Sequence, residues 1–135
     1  MRIHTAGLVV IRDKKLLLAF SNNKRAFYLP GGKTNDGETP QQSLIREIKE
    51  ELDIDILPER LHWYTHITAP AYGELNGMIM EQECYRYELE EEPRPSAEIG
   101  PVKYFDWDTY SREPVQVPGV VQLFTQLTNE GLVGS

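Results

Sequence analysis

Blocks of apolar residues separated by polar turns divide the chain into predicted strands and helices. Apolar, partly β-branched stretches are typical of strands, and they occupy residues 3–11, 15–20, 61–68, 78–89 and 102–107. Two other segments, 39–52 and 118–131, carry apolar residues at helical spacing. Strands that alternate with two main helices predict an α/β sandwich with a mixed sheet. Since no linker is visible, we expect one domain over residues 1–135.

The first predicted helix has recognisable signals at both ends. Thr39 suits the N-cap, Pro40 suits the first helical position, and Gln42 completes a capping box. We expect the helix to run to about Leu52. Asp53 stands where helices commonly place a glycine, so the helix end departs from the usual pattern.

This helix has separate apolar and acidic faces. Successive residues rotate by about 100° around a helix, which aligns one apolar stripe that can pack on a sheet: Leu44, Ile45, Ile48 and Leu52. Glu47, Glu50 and Glu51 share another arc. Like charges at this spacing repel by a few tenths of a kcal/mol per exposed pair, roughly. A divalent cation such as Mg²⁺ would turn the cluster into a favourable arrangement, since it binds carboxylate oxygens.

The acidic arc alone does not decide between a metal site and a solvated surface, because most charge runs lie on the surface. Arg46 neighbours Glu50 on the helix and is able to orient a carboxylate by a paired hydrogen bond. The segment that precedes the helix is therefore needed to choose between the two interpretations.

Charge and cysteine usage narrow the classes of partner and compartment. The 135 residues carry a formal net charge of -7, which argues against non-specific binding to nucleic acid. The single cysteine, Cys84, allows no internal disulfide. No apolar run approaches the length of a membrane span, and the first residues lack the apolar region of a signal peptide. We expect a cytoplasmic protein without a membrane partner.

The loop and helix together carry an extended motif. It runs Gly32-Lys33-Thr34-Asn35-Asp36-Gly37-Glu38, then seven residues, then Arg46-Glu47-Ile48-Lys49-Glu50-Glu51-Leu52-Asp53-Ile54. This resembles the signature of the Nudix hydrolase family, which is Gly, five residues, Glu, seven residues and Arg-Glu-apolar-x-Glu-Glu-x-Gly-apolar. Every defined position matches except the last glycine, which is Asp53 here. Asp tolerates the left-handed backbone conformation better than most residues, so we expect a small cost in stability and no loss of chemistry.

The resemblance implies a small MutT-like member with a Nudix-type α/β/α sandwich and hydrolysis of a pyrophosphate bond. It implies Mg²⁺ or Mn²⁺ as the cofactor, with water attacking a phosphorus that the cation polarises. It implies that the metal ligands or base are Glu47, Glu50 and Glu51, with the carbonyl of Gly31 or Gly32. It also implies that Arg46 orients a carboxylate and that Glu38 braces the loop against the helix.

Many family members add a glutamate from a loop before a late strand. Glu98 occupies that place here, and we predict that it is the extra ligand or general base. Glu81 and Glu83 are its rivals. The interpretation of Glu98 as an ordinary loop acid carries about equal weight.

Basic and aromatic residues near the motif are candidates for contact with a nucleotide. Lys33 and Arg25 are candidates for phosphate contacts, although surface solubility is the simpler role for Arg25. Aromatic side chains can stack on a base but more often pack the core. The remaining candidates for substrate contact are Phe27, Tyr28, Tyr72 and Gln116.

The choice of substrate depends on few residues. The compact chain resembles the small family members that act on nucleoside triphosphates. Nucleotide sugars, ADP-ribose or dinucleoside polyphosphates are the next candidates. The pair Gln116-Val117 stands where members that act on oxidised guanine nucleotides often carry Asn, which weakens that assignment. Pro70 and Tyr72 match spacings typical of the other two classes equally well. A nucleotide-sensing domain without hydrolase activity is the alternative function. The sequence does not decide between a monomer and a homodimer.

Overall fold

The computed structural model describes residues 1–74 and 76–135. None of the helices in these residues is long and apolar enough to cross a bilayer. In chain order the described elements are β1 (Arg2–Val9), β2 (Ile11–Arg12), β3 (Lys15–Ser21), β4 (Ala26–Tyr28), β5 (Gly31–Lys33), α1 (Pro40–Leu52), a 3₁₀ turn (Pro58–Arg60), β6 (His62–Pro70), β7 (Ile79–Arg86), β8 (Ile99–Phe105), α2 (Trp107–Ser111) and α3 (Pro118–Asn129).

The strands form two sheets, of which the first is mixed. Its order is β5-β1-β7-β6, where β1 and β7 are parallel and the other two pairs are antiparallel. In the second sheet, β3 pairs antiparallel with β2, β4 and β8. The predicted mixed sheet is therefore confirmed.

Apolar residues of the strands face two separate cores. Ala6 and Leu8 of β1 join the core beneath α1, whereas Val9 joins the core beneath α3. On the helices, Ile48 and Phe124 are fully buried in these two cores. Each large apolar side chain buried in this way contributes about 1.5–3 kcal/mol. The α/β/α sandwich with two main helices is therefore confirmed.

Helix α1 begins and ends as predicted. The Thr39 hydroxyl accepts a hydrogen bond from the Gln42 N–H at 3.1 Å, and the Thr39 N–H donates to the Gln42 side chain at 2.9 Å. At the other end, Asp53 adopts the left-handed conformation, with φ 55° and ψ 41°. Its carboxylate lies 2.9 Å from the ammonium of Lys49, which reduces the cost of an acid at the negative end of the helix dipole.

Four short elements, β2, β4, β5 and α2, differ from the predicted pattern. The predicted strand 3–11 is divided into β1 and β2, and β4 and β5 each have three residues. The predicted strand 102–107 ends at Phe105, because Asp106 caps α2 through a capping box with Thr109. The Asp106 carboxylate accepts from the Thr109 N–H at 2.9 Å, so helix geometry replaces the strand there.

Candidate active site

Two glycines bring the backbone of β5 against β1 and α1. Gly31 has φ 143°, and a Cβ on it would lie 2.0 Å from the carbonyl oxygen of Ala6. A Cβ on Gly32 would lie 2.5 Å from the carboxyl group of Glu47. A side chain is therefore excluded at Gly31, and a side chain on Gly32 would displace the carboxylate of Glu47, so the carboxylates of α1 meet bare backbone at this edge of the sheet.

Arg46 binds the loop and the helix together. Its Nε and Nη2 donate to the two oxygens of Glu38 at 2.8 and 3.0 Å, and Nη2 also donates to the carbonyl of Lys33 at 3.1 Å. Its Nη1 donates to Oε1 of Glu47 at 2.7 Å. Hydrogen bonds from Arg46 and from the backbone of Asn35 hold the pKa of Glu38 at about 2. Glu38 is therefore an ionised brace, and Glu47 has one oxygen fixed by Arg46.

Glu51 is a largely buried acid in contact with other acids. Its Oε1 accepts a hydrogen bond from the Gly31 N–H at 3.3 Å. Burial raises the pKa of Glu51 to about 8, and the nearby charges of Glu47 and Glu50 and a hydrogen bond with the Glu47 side chain act in the same direction. Without a cation, burial and the neighbouring acids therefore favour the protonated form of Glu51.

The carboxylates fit a hard divalent cation in their chemistry. Glu47 lies close enough to Glu51 to raise its pKa, so a cation that replaces the proton of Glu51 would relieve the repulsion between the two acids. Glu50 is 59% exposed, and its carboxylate lies 3.5 Å from Nη1 of Arg46. In the part of the chain that the structure describes, no three acidic, histidine or cysteine side chains are already arranged to hold a metal ion. Binding of a cation by three of these carboxylates therefore requires side-chain rotation.

A cleft of about 330 Å³ opens beside these carboxylates. It is lined by residues from both sheets and from α1, and it brings together most of the side chains predicted to act on a substrate. Those that line it are Tyr28, Gly31, Gly32, Lys33, Glu47, Glu50, Glu51, Tyr72 and Glu98.

Glu98 lies in the segment before β8, on the wall of the cleft. This segment is held by backbone hydrogen bonds from Ser96 N–H to the carbonyl of Glu51 at 2.8 Å and from Asn22 N–H to the carbonyl of Glu98 at 3.0 Å. The carboxylate of Glu98 is therefore carried by a fixed backbone and opens on the same cleft as Glu51.

The rival acids are engaged elsewhere. The Glu81 Oε1 lies 2.6 Å from both the His66 Nε2 and the Thr68 hydroxyl, which donates to it. Glu83 accepts from the indole N–H of Trp63 at 2.9 Å. Along β7 these acids alternate with Met80 and Gln82, which do line the cleft. Side chains on a strand alternate between faces, so Glu81 and Glu83 point to the other face of the sheet.

Three predicted substrate residues are placed outside the cleft lining. Phe27 is 5% exposed and packs edge-on against Phe105 with ring centroids 4.9 Å apart, so it belongs to the core. Arg25 lies on the surface with its guanidinium over the ring of Phe20. Gln116 is exposed and donates to the carbonyl of Ser111 at 3.3 Å. Their side chains thus have structural partners in this arrangement.

Thr5 and Gln82 line the cleft although the sequence pattern did not single them out. They are directly paired between the parallel strands β1 and β7. Thr5 is 9% exposed, and its hydroxyl is a buried group without a hydrogen-bond partner among the described residues. The available signal was a polar residue within the apolar strand 3–11. A buried hydroxyl of this kind calls for an explanation, and a ligand in the cleft provides one.

Lys24 and Glu74 also line the cleft and were not predicted. Lys24 lies in the turn between β3 and β4, and Glu74 lies between β6 and β7. Their carboxylate and ammonium groups lie 3.8 Å apart. Nothing local in the sequence links these two segments, since they meet only after both sheets have formed.

Comparisons with known proteins agree with this geometry. The family model described as NUDIX domain matches residues 1–123. One curated relative is the 8-oxo-dGTP diphosphatase of Proteus vulgaris, 59% identical over 55 residues, which are 38% of this chain and 49% of the relative. Another is "Putative ADP-ribose pyrophosphatase YjhB" of Bacillus subtilis (strain 168), 32% identical over 69 residues, 47% of this chain and 33% of the relative.

These matched segments span about half of the curated relatives' length or less. Among solved structures, the MutT NUDIX hydrolase from Burkholderia pseudomallei is similar, with a TM-score of 0.73 and 21% identity over 93% of this chain and 97% of the other. At that identity the likeness shows the fold. Because the family model covers nearly the whole chain, including the glycine loop and the acidic helix, the chain belongs to the Nudix domain family.

Proposed function

We propose that this protein hydrolyses a pyrophosphate bond in a nucleoside triphosphate, releases the nucleoside monophosphate, and depends on Mg²⁺ or Mn²⁺. The observation that carries the proposal is that Glu47 and Glu51 line one cleft beside the backbone of Gly31 and Gly32, where the Gly31 N–H donates to Glu51. Two adjoining acids, one of them largely buried, are costly in a protein that binds no cation. A cation bound between these acids and a phosphate chain would offset this cost.

Some residues of the site orient the carboxylates, and others are the proposed ligands of the cation. Arg46, itself held by Glu38, keeps one oxygen of Glu47 in place. Glu47, Glu50 and Glu51 are the proposed cation ligands, together with a carbonyl of Gly31 or Gly32. When bound, the cation would neutralise phosphate charge and polarise the phosphorus under attack.

Glu98 is the proposed general base or additional ligand. It lines the same cleft as the acids of α1, but it is exposed and lies on a different segment. From there it is able to take the proton of a water that attacks the phosphate chain. A backbone fixed at both Ser96 and Asn22 favours this role, since a general base must be positioned.

The rest of the cleft suits a nucleotide. Lys33 is proposed to contact phosphate as a point charge. Tyr28 and Tyr72 form one wall, with the Tyr28 hydroxyl donating to the carbonyl of Tyr72 at 2.9 Å. We propose that the unpartnered hydroxyl of Thr5 and the amide of Gln82 bind polar atoms of the base.

The relatives favour two substrate classes. The Proteus vulgaris relative, an 8-oxo-dGTP diphosphatase, shares 59% identity in the matched segment and supports a nucleoside triphosphate. The Bacillus subtilis relative supports ADP-ribose as the second candidate, at lower identity. The net charge of -7 disfavours RNA ends. A cytoplasmic location, which the single cysteine favours, is part of the proposal.

The test is a panel of nucleoside triphosphates, 8-oxo-dGTP, ADP-ribose and diadenosine polyphosphates, each with Mg²⁺ or Mn²⁺ and with products identified by mass. We expect triphosphates to give monophosphate and pyrophosphate most rapidly, and no turnover in excess chelator. Faster cleavage of ADP-ribose would transfer the assignment to the second class. Tight nucleotide binding without turnover under either metal would show a sensing domain and overturn hydrolysis.

A further inference from the structure

Glu74 joins the two cationic side chains that line the cleft within the described residues. Its Oε1 lies 2.5 Å from Nζ of Lys33, and its Oε2 lies 3.8 Å from Nζ of Lys24. The Glu74 side chain is 19% exposed and that of Lys33 is 60% exposed, so the ion pair is partly open to water. The hydrogen bond from Lys33 lowers the pKa of Glu74 below its usual value, and the charges of both lysines act in the same direction.

The position of this ion pair conflicts with the needs of a phosphate chain. The other charged groups that line the cleft are acids, among them Glu47, Glu51 and Glu98. A diphosphate group that enters therefore needs the lysines as well as cations to offset the negative charge around it. Both ammonium groups are already held by the carboxylate of Glu74.

Contacts other than the Glu74 ion pairs attach the segment between β6 and β7 to the rest of the protein. The Ala71 N–H donates to the carbonyl of Met78 at 3.0 Å. The carbonyl of Tyr72 accepts from the Tyr28 hydroxyl. The stem of Lys24 packs where a Cβ on Gly73 would lie, 2.9 Å from its Cδ. With these attachments present, a structural tether through the Glu74 carboxylate would be redundant.

We propose that Glu74 is an internal counter-anion, which a substrate diphosphate group displaces from Lys24 and Lys33 and which returns to them as the product leaves. The inference rests on the proposed function only for the identity of the ligand as a diphosphate. Glu74 competes with that ligand for the same two cations, so it weakens binding and hastens release. It is a positioning residue, since it acts through the lysines.

The test measures equilibrium binding of methylenediphosphonate, a diphosphate analogue that water does not cleave, by calorimetry at a fixed Mg²⁺ concentration. We expect Glu74→Gln and Glu74→Ala to bind the probe about fivefold more tightly than the parent, a change typical of a partly exposed ion pair. The matched control is Glu59→Gln, which removes the same charge from an exposed position on the 3₁₀ turn. Its affinity should equal that of the parent.

A second comparison separates local competition from a change in net charge. In a Lys24→Gln, Lys33→Gln background, Glu74→Gln should no longer tighten binding, because no cation is left to release. Unchanged or weaker binding in both Glu74 variants would overturn the inference, as would equal tightening by Glu59→Gln or tightening that persists without the lysines. If nucleotides are not hydrolysed but the probe binds as expected, the hydrolase proposal fails and the counter-anion role stands.

Discussion

The backbone N–H of Gly31 donates to Oε1 of Glu51 at 3.3 Å and thereby links the glycine strand to the acidic helix. Only glycine allows this strand to lie so close to β1, since a Cβ on Gly31 would meet the carbonyl of Ala6. The hydrogen bond lowers the pKa of Glu51, but burial outweighs it and the net pKa is about 8. Folding without metal therefore favours a protonated Glu51.

This pKa predicts how stability changes with pH. The folded-state pKa of Glu51 is about 8, against an ordinary value of 4.5, so between these values the folded state binds more protons than the unfolded state. The free energy of unfolding should then fall as pH rises from about 4.5 to 8, by at most about 1.4 kcal/mol per pH unit from this group. Urea unfolding of the parent and of Glu51→Gln, in chelator at several pH values, measures this change in the free energy of unfolding. A parent and variant with parallel profiles would contradict the shift.

Glu51→Gln should separate stability from activity. The amide keeps the shape of the side chain but cannot become charged, so the metal-free variant should melt at a higher temperature than the parent near pH 8. Hydrolysis should fall by more than about 100-fold, because a proposed cation ligand loses its charge. Melting scans and initial rates at saturating Mg²⁺ give both quantities. Full activity in this variant would exclude Glu51 from the mechanism.

Arg46→Lys should weaken the site without unfolding the protein. Arg46 binds both oxygens of Glu38 and one of Glu47, and the single ammonium of lysine cannot reproduce this fork. We expect the Mg²⁺ affinity to fall about 10-fold, as is typical when a group that orients a ligand is lost. The control is Arg60→Lys, which alters an exposed pair with Glu90. Equal loss in both variants would attribute the effect to general destabilisation.

Thr5→Val should stabilise the free protein and impair nucleotide binding. Valine matches the shape of threonine and removes a buried hydroxyl without a partner, a group that costs about 1–3 kcal/mol. The melting temperature of the free variant should therefore rise, while KM for the nucleotide increases with little change in kcat. A lower melting temperature would show that the hydroxyl is already satisfied in the free protein.

Local signals were sufficient to predict α1 and its acidic face, because Thr39, Pro40 and Asp53 act within one helix. The alternation of strands and helices predicted the sandwich, and the resemblance of the motif implied its α/β/α arrangement. Thr5 and Gln82 were not predicted to line the cleft, because they meet only through the pairing of two strands that are distant in sequence. Strands β4 and β5 were too short to show a period. Asp106 and Thr109 have the spacing of a capping box for α2, but the apolar run before them favoured a strand that continued to residue 107.

Glu98, rather than Glu83, should be the acid outside α1 that takes part in the reaction. Glu98 opens on the cleft, whereas Glu83 lies on the opposite face of its sheet and accepts from Trp63. Glu98→Ala should therefore lower kcat by about 100-fold or more, a typical contribution of a general base, and leave the melting temperature unchanged. Glu83→Ala should keep its rate and lose some stability, because the Trp63 N–H loses its acceptor. Steady-state kinetics and melting scans on both variants decide the matter, and a loss of rate confined to Glu83→Ala would reverse the assignment.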